Sequence, residues 1–285
     1  MSEKSIILKP TVTGSLGQSV RSVFVITVIP IILVLSILFY IYVLGDPSHF
    51  QGGDPNNHPV SGDYFGIVYK GGFIVPILIS LIIMVVTFSV ERMLTISKAG
   101  GKGNLLKFIA NIRGNIGSGQ VEEAIAACDR QKGSVATVVR AGLLKYKEMD
   151  NLQHLDQEKK ILAIQKDIEE TTQLEMPMLE KNLVILATIA SISTLIGLLG
   201  TVLGMIKAFA ALATAGAPDA VALANGISEA LINTALGILG SAFAIIAYNY
   251  FTSKIDTLTY HIDEAGYSIV QHFAARDLER KSTTT

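Results

Sequence analysis

Four stretches of this 285-residue chain are almost free of charged side chains. They are 22–44, 71–90, 183–206 and 220–251, and only the last holds a charge, Glu229. Crossing the hydrocarbon core of a bilayer takes roughly 20 predominantly apolar residues, and each stretch is that long. Half of all residues are hydrophobic and 16% are charged, against about 25% charged in soluble domains. The expected fold class is all-α: a polytopic membrane helix bundle with four transmembrane helices, from which long helices extend into a cytoplasmic helical domain. A cleaved leader fits the first stretch poorly. It is longer than the usual apolar core of roughly 7–15 residues, and Gly45-Asp46-Pro47-Ser48 follows in place of a small-residue cleavage site.

Lysine and arginine sort the segments between the spans. Lys4, Lys9 and Arg21 precede the first, and Arg92, Lys98 and a dozen further bases follow the second. Lys254, Arg276, Arg280 and Lys281 follow the fourth. The segment 45–70 holds Lys70 against Asp46, Asp54 and Asp63, and 214–218 has no base. By the positive-inside rule both termini and the long middle segment are cytoplasmic. The expected order is a cytoplasmic N-terminal segment 1–21, an extra span 22–44, a periplasmic loop 45–70, a span 71–90 and a cytoplasmic helical domain 91–182. A span 183–213, a periplasmic turn 214–219, a span 220–251 and a cytoplasmic C-terminal helix and tail 252–285 complete it. The localisation this implies is a multi-pass membrane protein with both termini in the cytoplasm.

Loop 45–70 is rich in Gly, Pro, Asn and Asp and reads as irregular. Its His49, His58, Asp46 and Asp54 lack metal-ligand spacing, so no metal is expected. In the cytoplasmic segment, Leu105, Leu106, Phe108, Ile109 and Ile112 recur at helical spacing, as do Val121, Ala124, Ile125 and Cys128. A turn at 114–119 separates those helices, a third helix covers 135–146, and a fourth covers 154–175. Pro177 is expected to kink the chain before the third span. The lone Cys128 excludes an intrachain disulfide.

The chemistry concentrates in the last two spans. An intramembrane carboxyl costs about 2.5–3.5 kcal/mol on insertion scales, so Glu229 is read first as a functional group. On a helix, Ala222, Gly226, Glu229, Asn233, Gly240 and Ala247 share a sector of roughly 60–80°. This stripe of small residues points Glu229 into a protein interface or a water-lined cavity. Thr234 sits on its shoulder, and Thr201 of the third span could join it. Gly197, Gly200, Gly204, Gly226, Gly237 and Gly240 are expected to let the helices approach closely. Lys207 ends the third span; it could snorkel to the outer face or stand at a proton entrance. Two accounts of Glu229 stay open: a proton-handling group, or a protonated side chain bonded across helices as structural glue.

A net charge of −1 gives no sign of nucleic-acid binding. Gly100-Gly101-Lys102-Gly103 lacks the spacing and the Lys-Ser/Thr ending of a phosphate-binding loop. No nucleophile, histidine and acid form a readable set, so neither an enzyme nor a cofactor is expected.

Gly-Leu-Leu-Gly-Thr-Val-Leu-Gly (197–204) and Gly-Ile-Ser-Glu-Ala-Leu-Ile-Asn-Thr-Ala-Leu-Gly (226–237) together resemble the MotA/TolQ/ExbB proton channel family, most of all its ExbB branch. Ala124–Cys128 and Arg140-Ala-Gly-Leu143 are similar to its cytoplasmic helices. The resemblance implies a homo-oligomeric ring, a pentamer, around an ExbD-like single-span partner with a membrane Asp. It also implies a place in the bacterial inner membrane and proton flow that drives a TonB-like protein to energise outer-membrane transport. The pore glutamate of the family falls on Glu229 and its pore threonines on Thr201 and Thr234, with Asn233 and Lys207 as possible accessories. This chain departs from the usual three spans by its extra one at 22–44. Asn233 stands where many relatives have a small residue. A TolQ-like subunit, another stator, or a non-conducting scaffold are the alternatives.

Overall fold

Backbone polar groups in a bilayer must be satisfied within their own segment, which favours helices wherever the chain is apolar for long enough. The computed structural model follows this logic. It describes residues 15–152, 155–213 and 219–283, with side chains described over 25–152, 155–213 and 219–276. Residues 1–14 of the expected N-terminal segment, His154 at the expected helix start, 214–218 of the expected turn and 284–285 lie outside the described residues.

Nine α-helices are described: α1 (Ser15–Phe39), α2 (Tyr64–Tyr69), α3 (Val75–Ala99), α4 (Leu105–Gly117), α5 (Val121–Gln131), α6 (Gly133–Asn151), α7 (Gln157–Glu180), α8 (Leu183–Leu212) and α9 (Ala220–Thr283). Among the described residues, four helical stretches are long and apolar enough to cross a membrane. The protein is an all-α polytopic membrane protein. It divides into two compact units. One comprises 1–84 and 191–241, the other 85–190 and 242–285.

In the first unit, the segment between α1 and α3 is more ordered than its composition implies. A π-helical turn, Tyr40–Leu44, extends α1. Asp46 caps the 3-10 turn Pro47–His49 by accepting from Ser48 N. Asp63 caps α2, its Oδ1 accepting from Phe65 N at 2.9 Å and Gly66 N at 3.3 Å. Its Oδ2 meets His49 Nδ1 at 2.7 Å. Tyr40 stacks on Tyr69, and Phe50 meets Tyr69 edge-on. Lys70 Nζ donates to the carbonyls of Pro55 and Asn56, each at 3.0 Å. Short polar side chains at turn starts satisfy the backbone here as a strand or long helix would elsewhere.

In the second unit, α4 buries Phe108, Ile109 and Ile112 as the helical spacing predicts, whereas Leu106 is exposed. The α4–α5 turn is shorter than expected, since α4 runs to Gly117. On α9, Ile255, Leu258, Ile262, Ala265, Ile269 and Phe273 are buried at three- and four-residue spacing. Phe273 packs edge-on against Tyr146 of α6, and Gly142 of α6 faces Ile168 of α7.

Pro177, where a kink is expected, lies inside a helix that ends beyond it. Helix α7 runs through that proline to Glu180, and the chain turns at Lys181 and Asn182. Asn182 has a φ of 66°, a left-handed conformation that Asn tolerates better than most residues. Side chains from α3 hold the joint. Arg92, only 1% exposed, donates through Nη1 to the Leu179 carbonyl at 3.0 Å. That carbonyl is one of those a helix end leaves without an intrahelical partner. Glu91 receives both Arg92 and Asn182 Nδ2. A buried guanidinium and a left-handed Asn therefore end the helix where the proline does not.

Candidate functional site

The site is built on close backbone approach between α8 and α9 in the first unit. A Cβ at Gly204 would lie 2.7 Å from Gly226 O and from Ala230 N. One at Gly197 would lie 2.8 Å from Asn233 O and 2.9 Å from Gly237 Cα. Only hydrogen fits between the helices at these points, which is the packing mode available where lipid removes the hydrophobic drive. Gly200 faces the Asn233 side chain, and Gly240 faces Ser193.

Glu229 is 7% exposed and Asn233 is fully buried. The partner of the carboxylate is Lys207, whose Nζ donates to Oε1 at 2.6 Å and to Oε2 at 2.8 Å. The pair is lopsided. The Lys207 side chain is 53% exposed, against 9% for that of Glu229. Both ends of the carboxylate are thus engaged by a cation that still reaches outward along α8. An ion pair of this kind gives a buried acid the polar partner that burial otherwise removes.

Thr201 and Thr234 meet each other through their hydroxyls. Each also reaches backbone carbonyls, Thr201 those of Gly197 and Ala230, and Thr234 that of Ala230. The two threonines are therefore brought together, and the carboxylate is held by Lys207. Asn233 Nδ2 donates to the Gly71 carbonyl at 2.8 Å, which draws the start of the second span into the site. Gly71 and Gly72 do not stand out in the sequence as site residues. Their adjacency at the head of an apolar run is the one signal that could have found them.

Outside this cluster, His49 pairs with Asp63. The hydrogen bond from His49 is the main cause that holds the Asp63 carboxyl below its ordinary value of 3.8. Burial pushes the Cys128 thiol up to about 12, the behaviour of a packing residue.

The fold and the site define a multi-pass helical membrane protein with an acid–base pair held inside its bundle. Residues 133–264, from α6 into α9, match the model of the MotA/TolQ/ExbB proton channel family. Lys207, Glu229, Asn233 and both threonines lie within it. The chain is 33% identical over 136 residues to the Tol-Pal system protein TolQ of Pseudomonas aeruginosa, covering 45% of this chain and 59% of that protein. It is 42% identical over 84 residues to TolQ of Haemophilus influenzae, covering 30% and 37%. To the biopolymer transport protein ExbB of Salmonella typhimurium it is 31% identical over 100 residues, covering 35% and 41%. In these matches the chain spans between 37% and 59% of the relatives' lengths.

Proposed function

We propose that this chain is the proton-channel subunit of an inner-membrane motor of the ExbB–ExbD type. In this reading several copies, five as the family resemblance implies, surround an ExbD-like single-span partner. Glu229 exchanges protons with a membrane Asp of that partner, and the resulting motion is passed to a TonB-like protein. The observation that carries the reading is the buried Glu229 paired with Lys207 inside the segment that matches the proton channel family. In this reading Thr201 and Thr234, paired with each other, supply a hydroxyl step in the proton pathway, and Asn233 shares the helix face of Glu229. Moving one charge through 100 mV supplies about 2.3 kcal/mol, enough to bias helix positions in a ring. A single intramembrane acid per chain makes sense when a partner supplies the second. Both termini and the 91–182 segment face the cytoplasm in this arrangement, and 45–70 and 214–219 face the periplasm.

A second reading is supported by the TolQ relatives, which match as well as ExbB does. The same chemistry would then serve a Tol-Pal type system. One experiment tests the shared core. The chain and its single-span partner are reconstituted in liposomes, and proton entry under an imposed potential is followed with a pH dye. Glu229→Gln and Glu229→Ala are expected to abolish the flux. Wild-type flux in both variants would leave Glu229 as structural glue and end the proton-channel reading. Deleting the gene separates the two branches, since loss of iron–siderophore uptake marks the ExbB type and loss of envelope integrity the TolQ type.

A further inference from the structure

The family match begins at residue 133, yet one wall of the Glu229 site comes from residues 69–72, the end of α2 and the start of the link to α3. Gly71 lies flush on α9, where a Cβ would sit 2.8 Å from Ile232 Cγ2. Its carbonyl holds Asn233 Nδ2 at 2.8 Å. Gly72 follows with a φ of 76°. A Cβ on Gly72 would meet Glu229 Oε1 at 2.6 Å and Cδ at 3.0 Å. Glu229 and Asn233 are one helical turn apart on the same face, so two successive glycines are seated against both.

The other end of this short segment is also held. The Tyr40 hydroxyl donates to the Tyr69 carbonyl at 3.0 Å, and the two rings stack with centroids 4.7 Å apart. Tyr40 opens the π-helical turn that ends the first span. The contacts therefore run from the extra span, through Tyr69 and the two glycines, to the carboxylate.

We propose that residues 69–72 are a positioning strap for Glu229, hung from Tyr40, and that Gly72 is the positioning residue that sets where the carboxylate meets Lys207. The purpose of the strap rests on the proton-channel reading; its geometry does not. With Lys207 on one side of the carboxylate and the Gly72 backbone on another, any side chain at 72 presses Oε1 away from its seat. The extra span, which the family pattern does not require, thereby anchors the strap from outside the family segment.

The test uses the full chain in liposomes and dicyclohexylcarbodiimide, an apolar reagent for protonated carboxyls, with the Glu229 adduct measured by mass spectrometry across a pH series. Gly72→Ala is expected to change the labelling rate at fixed pH by about tenfold, equivalent to about 1.4 kcal/mol, and to displace its pH profile. Gly62→Ala is the control, because Gly62 has a φ of 86° with nothing within 4 Å of a Cβ. It carries the same backbone strain and is expected to label as wild type. Tyr40→Phe keeps the ring and removes the hydroxyl, and should move the rate in the same direction by less. Wild-type labelling of Gly72→Ala, or an equal effect of Gly62→Ala, overturns the proposal. If Gly72→Ala does not fold, Tyr40→Phe decides, and an unchanged rate overturns it. Failure of the channel reading is seen separately, as wild-type proton flux in Glu229→Gln with the labelling effects intact.

Discussion

At the scale of single residues, a carboxylate in an apolar interface needs its countercharge within reach, and Lys207 supplies it from 22 positions away. Removing the lysine leaves Glu229 buried with no cation, the costly half of a broken pair. Because the Lys207 side chain is 53% exposed, solvent already screens part of the attraction, and the cost falls to about 1–3 kcal/mol. Lys207→Met is expected to destabilise the chain by that amount in mixed-micelle unfolding, and Lys207→Met with Glu229→Gln to recover most of it. Additive effects of the two single changes would show that the pair is not coupled. Glu229 stands out in the sequence by its isolation among apolar residues. Its partner does not, because a lysine at the end of a span reads equally well as a side chain reaching for the membrane edge.

At the scale of elements, capping and close approach decide what periodicity cannot. The segment 45–70 reads as irregular from its Gly, Pro and Asn content, yet Asp46 and Asp63 each organise a turn. Asp63 also accepts from His49, which lowers its carboxyl below the ordinary 3.8. A carboxyl lowered in the folded state stabilises it above the ordinary value, and that stabilisation disappears as pH falls through the folded value. The α2 cap is therefore expected to persist below pH 3.8. In His49→Ala, exchange of the Phe65 and Gly66 amides should accelerate at a higher pH than in the parent chain. An identical pH dependence in the two would remove His49 as the cause. The α7–α8 joint teaches the same lesson. Pro177 is the expected kink, but a proline costs one hydrogen bond locally and the helix runs past it, whereas Arg92 and Asn182 supply side-chain partners where the helix ends.

At the scale of the whole molecule, the proposed orientation can be tested because the chain has one cysteine. Cys128 is 2% exposed, and burial pushes its thiol up to about 12, so replacing it by Ser gives a quiet background. His58→Cys in that background is expected to react with an impermeant maleimide in intact spheroplasts. Leu106→Cys, at a position 64% exposed, should react only after lysis. The reverse pattern would invert the topology proposed from the distribution of lysine and arginine.

Span number, helical class and the isolation of Glu229 among apolar residues follow from the sequence by itself. These depend on local composition: how long a run stays apolar, and which charge breaks it. Tertiary structure alone decided that Lys207 neutralises Glu229, that Thr201 meets Thr234, and that Gly71 and Gly72 wall the site from a distant part of the chain. Those contacts depend on which faces of separate helices come within a few ångströms of each other. Helical periodicity defines a face, but its neighbour is set only when backbones pack closely enough to exclude every side chain but glycine's.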